Sequence, residues 1–252
     1  MSAYYNEINP ECAETLRALM KGGFISDGEV DERSIEDVAP IELSGFTQCH
    51  FFAGIGLWSL SLRNAGWEDD RPVWTASCPC QPFSQAGKGA GFDDERHLWP
   101  DFYWLAQQCR PTAIFGEQVK NARWIDLAQS DMEGLGYAFG CVPLPAAGFG
   151  APHIRDRAYW FAYAERNKQS WEKPCGGETG RMGRVKQSIP WEKHWTVALA
   201  ELRGMDDGHP CCVGATDAIR NAISPPVAEA FIRAVMLSLI HISEPTRRTP
   251  IS

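Results

Sequence analysis

Apolar positions along the chain fall into short runs separated by stretches of helical period. Tyr4-Tyr5 is the first run and predicts a brief strand. Residues 10–21 follow with helical spacing. Pro10 stands in the first turn and Gly22-Gly23 beyond the last, the usual asymmetry of a helix. Residues 46–53 read Phe-Thr-Gln-Cys-His-Phe-Phe-Ala, a buried strand. It runs through Gly54-Ile55-Gly56 into a helix over 57–64 that Gly66 stops. Residues 73–77, 113–115 and 158–163 predict further strands, and 225–237 a closing amphipathic helix. Strands alternating with helices predict an α/β fold built on a parallel sheet.

Composition supports a packed core. Of the 252 residues 44% are apolar and 22% charged, enough for one sizeable domain or one lobe carrying a smaller one. The longest apolar stretch, 228–240, is broken by Glu229 and Arg233, so no membrane span is expected. Nine cysteines with no signal-peptide pattern predict reduced thiols and a cytoplasmic location, in the cytoplasm or nucleoid of a bacterial host.

The net charge of −8 speaks against a polyanionic partner until its distribution is read. Residues 1–164 hold 12 basic and 22 acidic groups, whereas residues 165–203 hold 8 and 5. That basic stretch is rich in glycine, carries Trp171, Trp191 and Trp195, and lacks apolar periodicity. It reads as an insertion or small lobe, and a solvated loop region is the bland alternative.

Two motifs carry chemistry. A strand, Gly54-x-Gly56 and a helix form a loop that lets backbone approach a ligand at a helix N-terminus. The third glycine of the dinucleotide fingerprint is missing, since Leu57-Trp58-Ser59 follows; an oxidoreductase reading rests on this loop alone. The sharper motif is Cys78-Pro79-Cys80-Gln81-Pro82-Phe83-Ser84 after a strand. Two prolines stiffen the loop around Cys80, which suits a nucleophilic thiol; taken alone, a cysteine is more often a small buried residue. Cys78 and Cys80 lack a second well-spaced pair, so no metal is expected.

Five segments occur in order: Phe52-Ala53-Gly54-Ile55-Gly56, Pro79-Cys80-Gln81-Pro82-Phe83-Ser84, Glu117-Gln118-Val119, Arg155-Asp156-Arg157 and Arg220-Asn221-Ala222-Ile223. Together they resemble the ordered motifs of the cytosine-5 DNA methyltransferases. The resemblance implies a Rossmann-like S-adenosylmethionine-dependent methyltransferase sheet with a small inserted target-recognition lobe. It implies that Cys80 adds to carbon 6 of a cytosine flipped out of double-stranded DNA, because that carbon is inaccessible inside the stack. Glu117 is implied to hydrogen-bond the cytosine at N3 and its amino group, and Arg155 and Arg157 to hold the base and a neighbouring phosphate. Phe52, Gly54, Gly56, Pro79 and Asn221 fall at the methyl-donor site. Departures are Gln118 for the family's asparagine, His153 for its glutamine, Leu57 for a common third glycine and Arg220 for a glycine.

The family spaces its glycine loop and its Pro-Cys-Gln loop by about 60 residues, an interval that contains an acidic ribose ligand. Here only residues 57–78 intervene. The N-terminal Tyr5-Asn6-Glu7-Ile8-Asn9-Pro10 and the later Asp31-Glu32-Arg33-Ser34-Ile35-Glu36-Asp37-Val38 resemble the missing pieces, a strand–Glu–helix unit and an adenine-site strand. The chain is therefore read as circularly permuted, with residues 1–45 as the displaced donor-binding βα unit. Glu7 is then the ribose ligand and Ser34, or second Asp31, the adenine ligand. The plain alternative is that residues 1–45 are an acidic helical extension.

The expected organisation is a catalytic domain over 1–164, a recognition lobe over 165–213, a final motif and helix over 214–236, and an artefactual or disordered tail over 237–252. A monomer is expected. Competing functions are the same chemistry on RNA and a non-catalytic DNA-binding relic.

Overall fold

The computed structural model describes residues 2–79, 98–151, 154–164 and 222–243, the last four without their side chains. Seven strands form one sheet: β1 Ala3–Asn6, β2 Gly28–Asp31, β3 Gln48–Phe51, β4 Val73–Ala76, β5 Ala113–Val119, β6 Ala138–Pro145 and β7 Asp156–Tyr163. Their order across the sheet is β2-β1-β3-β4-β5-β7-β6. The first five are parallel, and β7 runs antiparallel between β5 and β6. Strand β1 thus precedes the glycine loop in sequence yet lies next to its strand in space, with β2 on the outer side of β1. The unit expected at the N-terminus sits beside β3, Ala3 opposite Gln48 and Asn6 opposite Phe51.

Among the described residues five helices cover the sheet: α1 Pro10–Lys21, α2 Leu57–Ala65, α3 Trp99–Cys109, α4 Ala122–Gly134 and α5 Pro225–Ser243. Local chemistry sets their ends. Asn9 caps α1 by accepting from the backbone N–H groups of Glu11 and Cys12, and Asn121 caps α4 by accepting from Trp124. Gly56 opens α2 and Gly66 closes it, both with positive φ.

Strand alternation sends side chains to two faces. On one face Tyr5 packs with Leu16 of α1 and Ile25, while Phe115 and Tyr159 meet Trp58 of α2 and Phe231 of α5. On the other, Trp160 of β7 meets Trp99 of α3 and Trp124 of α4, with ring centroids 5.9 and 6.2 Å away. Gly116 makes room for that indole: a Cβ there would stand 2.1 Å from Trp160 Cε2.

Three expectations need correction. The strand expected in 31–38 is instead Gly28–Asp31, and Ile35–Asp37 is a 3-10 turn. The Asp31 carboxylate accepts the backbone N–H of Arg33 at 3.0 Å, an Asx-type bond that turns the chain. Helices α3 and α4 and strand β6 have no counterpart among the expected elements. Finally, the helix does not stop at Leu237: it continues to Ser243, and Leu239 is buried with Ile232 and Phe115, so 237–243 is not a structureless tail. The expected recognition lobe over 165–213 lies outside the described residues.

Candidate active site

Parallel strands deliver their outgoing loops to one edge, the C-terminal end of the sheet, where open α/β folds bind ligands. Glu7 follows β1, Phe52 to Gly56 follow β3, and Cys78-Pro79 follow β4. Glu117 lies near the end of β5. Because β7 is antiparallel, its beginning arrives at the same edge and brings Arg155 and Arg157.

Glu117 and Arg157 meet by sheet geometry. Glu117 pairs with Tyr159 and Val119 with Arg157, so Glu117 and Arg157 are diagonal neighbours on one face. Arg157 Nε lies 3.1 Å from Glu117 Oε1. That contact is coulombic, for the oxygen accepts no hydrogen bond among the described residues although Glu117 is only 7% exposed. Burial pushes the Glu117 carboxyl up to about 7, against the opposing pull of Arg157 and Arg155. A buried carboxyl oxygen without a donor, on a group that readily carries a proton, suits a ligand offering both a donor and an acceptor.

Arg155 behaves differently from its neighbour. Its φ is +31°, uncommon for a side chain with a Cβ. Its guanidinium Nη2 donates to the carbonyl of Ala222 at 2.6 Å. Desolvation and nearby Arg157 both press its pKa down.

The glycine loop divides its work. A Cβ on Gly54, at φ +55°, would meet nothing within 4 Å, whereas one on Gly56 would meet Leu16 Cδ2 at 2.9 Å. Gly54 therefore leaves space for a ligand, and Gly56 lets α2 start against the α1 layer. Phe52 also has a positive φ, +54°, so strain is concentrated in this loop. Glu7 buttresses it: one carboxylate oxygen accepts the N–H of Gly54 at 2.7 Å and the other the N–H of Asn9 at 2.9 Å. Each oxygen keeps a lone pair for a hydroxyl.

Of the two adenine-site candidates, neither side chain is idle. Ser34 Oγ donates to Glu36 at 2.9 Å. Asp31 accepts from Tyr4 Oη and Arg33 Nη2, both at 2.7 Å, and Arg33 holds its carboxyl down at about 2. Cys80 and Asn221 lie outside the described residues. Cys78 is buried and desolvation pushes its thiol well up, an environment that disfavours the nucleophilic thiolate.

Gln118 is a site residue that motif reading passes over as a mere substitution. On the face opposite Glu117, its amide nitrogen donates to the carbonyl of Cys78 at 3.2 Å, while its oxygen accepts the N–H of Val119 at 2.8 Å. It ties the end of β5 to the residue that precedes Pro79. Its place beside the carboxylate was the available signal.

A sequence model of C-5 cytosine-specific DNA methylases matches residues 68–202, more than half of the chain. The chain belongs to the C-5 cytosine-specific DNA methylase family. Among curated relatives, the Type II methyltransferase M.NgoMIV of Neisseria gonorrhoeae is 30% identical over 200 residues, covering 76% of this chain and 54% of that protein. The Type II methyltransferase M.HhaI of Haemophilus parahaemolyticus is 31% identical over 113 residues, 42% of this chain and 35% of that protein. The chain thus spans between a third and about half of the length of these relatives. A Spodoptera frugiperda DNMT2 mutant structure aligns with a TM-score of 0.45 at 17% identity, covering 69% of this chain and 45% of that one.

Proposed function

We propose that this chain is a DNA (cytosine-5-)-methyltransferase that acts on a cytosine flipped out of double-stranded DNA. One observation carries the reading: the buried Glu117 carboxyl beside Arg157 has an oxygen with no hydrogen-bond donor among the described residues, at the edge that also holds the open side of the glycine loop. S-adenosylmethionine is the cofactor this edge fits, with Glu7 towards its ribose hydroxyls, Phe52 and Gly54 lining the open side of the loop, and Pro79 and Asn221 assigned by motif. It would supply an electrophilic methyl group.

The protein's part is to make carbon 5 of cytosine nucleophilic. Glu117, carrying its proton near neutral pH, donates to N3 of the base and accepts from the exocyclic amino group. Drawing electrons towards N3 exposes carbon 6 to the Cys80 thiolate. A carbon–sulfur bond forms between Cys80 and carbon 6 and the electron pair moves to carbon 5, where the bound donor would supply its methyl group, its sulfur–methyl bond breaking to leave S-adenosylhomocysteine. Loss of the carbon 5 proton to water returns the pair, breaks the carbon–sulfur bond and frees Cys80. Arg157 stabilises the negative charge that gathers beside Glu117.

The basic lobe, residues 165–213, is assigned to target recognition, and the enzyme is taken to work as a cytoplasmic monomer. Incubation with duplex DNA containing 5-fluorocytosine tests the mechanism. A stable covalent complex is expected with the wild-type protein and none with Cys80→Ala; a complex in the variant would refute the role of Cys80. Methyl transfer to tRNA but not to duplex DNA would move the substrate to RNA.

A further inference from the structure

Strand β7 grips the segment that leads into α5 at two points. Arg155 Nη2 donates to the Ala222 carbonyl at 2.6 Å, and Tyr159 forms a hydrogen bond with the backbone of Ser224. Between them Ile223 is 6% exposed. The unusual backbone of Arg155 is itself held: its carbonyl accepts the N–H of Ala146 at 3.2 Å, and that of Ile154 accepts the N–H of Ala147 at 3.4 Å. Strain maintained by surrounding hydrogen bonds signals a residue aimed at a task. The aim here is backbone, and Ala222 immediately follows Asn221.

Two residues on, the same strand presents Arg157 to Glu117. Arg157 and Tyr159 share one face of β7 and Arg155 immediately precedes the strand, so the grip on 222–224 and the contact with Glu117 are mechanically adjacent. We propose that Arg155 is a positioning residue, a strut that links the donor-side segment 222–224 to the Glu117–Arg157 pair, so that methyl-donor binding and cytosine binding favour each other. This rests on the methyltransferase reading above and departs from the motif-based role of Arg155 as a ligand of base or phosphate.

A shift of residues 222–224 on donor binding is passed to the start of β7 and sets the Arg157 guanidinium against Glu117. Coupling of this kind is reciprocal, and its usual size is about 5- to 150-fold in affinity. Tyr159 shares the task without carrying charge, so Tyr159→Phe loosens the strut without altering electrostatics at the base.

The test is calorimetric titration of S-adenosylhomocysteine into the full chain, alone and saturated with a cytosine-containing duplex. The wild-type protein is expected to bind this product of the donor about tenfold tighter when DNA is present. In Arg155→Met that ratio falls to about one while affinity without DNA changes less than about threefold, and Arg155→Lys recovers part of the ratio. Tyr159→Phe gives an intermediate ratio, and it decides the matter if Arg155→Met does not fold. An unchanged ratio in the variants, with DNA affinity uniformly weakened in Arg155→Met, overturns the strut and makes Arg155 a direct DNA ligand. A wild-type protein that binds both ligands with no mutual effect also overturns it and leaves the methyltransferase reading standing. Binding of neither ligand overturns both.

Discussion

The Glu7 carboxylate accepts the backbone N–H of Gly54 at 2.7 Å across 47 positions of sequence. A side chain just beyond β1 therefore shapes the loop beyond β3, and the acidic N-terminal segment is part of the site's edge. Its ten acidic and three basic residues in 1–45 account for much of the net negative charge, which leaves the surplus of positive charge in 165–203.

Replacing Glu7 by Ala removes both the loop buttress and the proposed ribose acceptor. Two charge-assisted hydrogen bonds of about 1.5–3 kcal/mol each are at stake. Donor affinity is expected to fall by at least about tenfold, with DNA affinity unchanged. Calorimetric titration with S-adenosylmethionine checks it, and unaltered donor binding would sink the assignment of residues 1–45.

Glu117→Gln is expected to separate stability from activity. Burial raises the folded-state value to about 7, above the ordinary value of 4.5, so the folded protein holds this proton more tightly than the unfolded chain. Its contribution is most favourable below 4.5 and declines as pH rises to 7. The glutamine variant escapes that decline. Its melting temperature should match wild type at pH 4.5 and exceed it at pH 8, while methyl transfer falls by about a hundredfold or more. An equal shift at both pH values would contradict the buried-carboxyl account.

His50 works in the opposite sense over the same range. Its ring is buried between Thr75 Oγ1 at 2.9 Å and Gln48 Oε1 at 3.3 Å, and desolvation lowers its value from 6.5 to about 3. Protons bind the unfolded form first, so this contribution is present above pH 6.5 and is lost as pH falls towards 3. Between pH 4.5 and 6.5 the two groups offset each other, each with a slope of about 1.4 kcal/mol per pH unit. Urea titrations should show a steeper acid loss in Glu117→Gln than in wild type. In His50→Gln, stability should instead rise as pH falls through that window. Parallel curves for all three proteins would refute the offset.

Gly116→Ala should damage the core without touching the site. The new methyl group meets the Trp160 indole, which is enclosed by Trp99, Trp124 and Phe139 and has no room to retreat. Overpacking of this kind costs about 1–3 kcal/mol. A lowered denaturation midpoint with shifted tryptophan fluorescence is expected, and wild-type stability would contradict the packing described.

Elements with strong local signals are legible in the sequence. Pro10 with Gly22, and Gly56 with Gly66, bracket α1 and α2 because caps and breakers act within a few residues. Strand β5 is recognisable only in its apolar half, Ala113 to Phe115. Gly116, Glu117 and Gln118 look unlike a strand, yet they pair with Trp160, Tyr159 and Ala158. Helix α3 escapes notice because Trp99, Phe102, Tyr103 and Trp104 blur any division into apolar and polar faces. Edge strand β6 carries Gly140, Pro143 and Pro145, residues that propensity counts against a strand. At the site, the glycine loop, Glu117 and the two arginines can be named from motifs; the Gln118–Cys78 bond and the Arg155–Ala222 bond cannot.

Sequence alone determined the elements with strong local signals, such as α1, α2 and the strand before the glycine loop, and which chemically capable residues the chain owns, because turns, caps and apolar period are local properties. Tertiary structure decided the rest. Strand order β2-β1-β3 depends on pairing between distant segments, which brings Glu7 to Gly54. The proton affinity of Glu117 depends on being stripped of water beside Arg157. The direction of Arg155 depends on a backbone conformation held by Ala146 and Ala147. Each is set by burial and by contacts across many residues, and no stretch of sequence contains those quantities by itself.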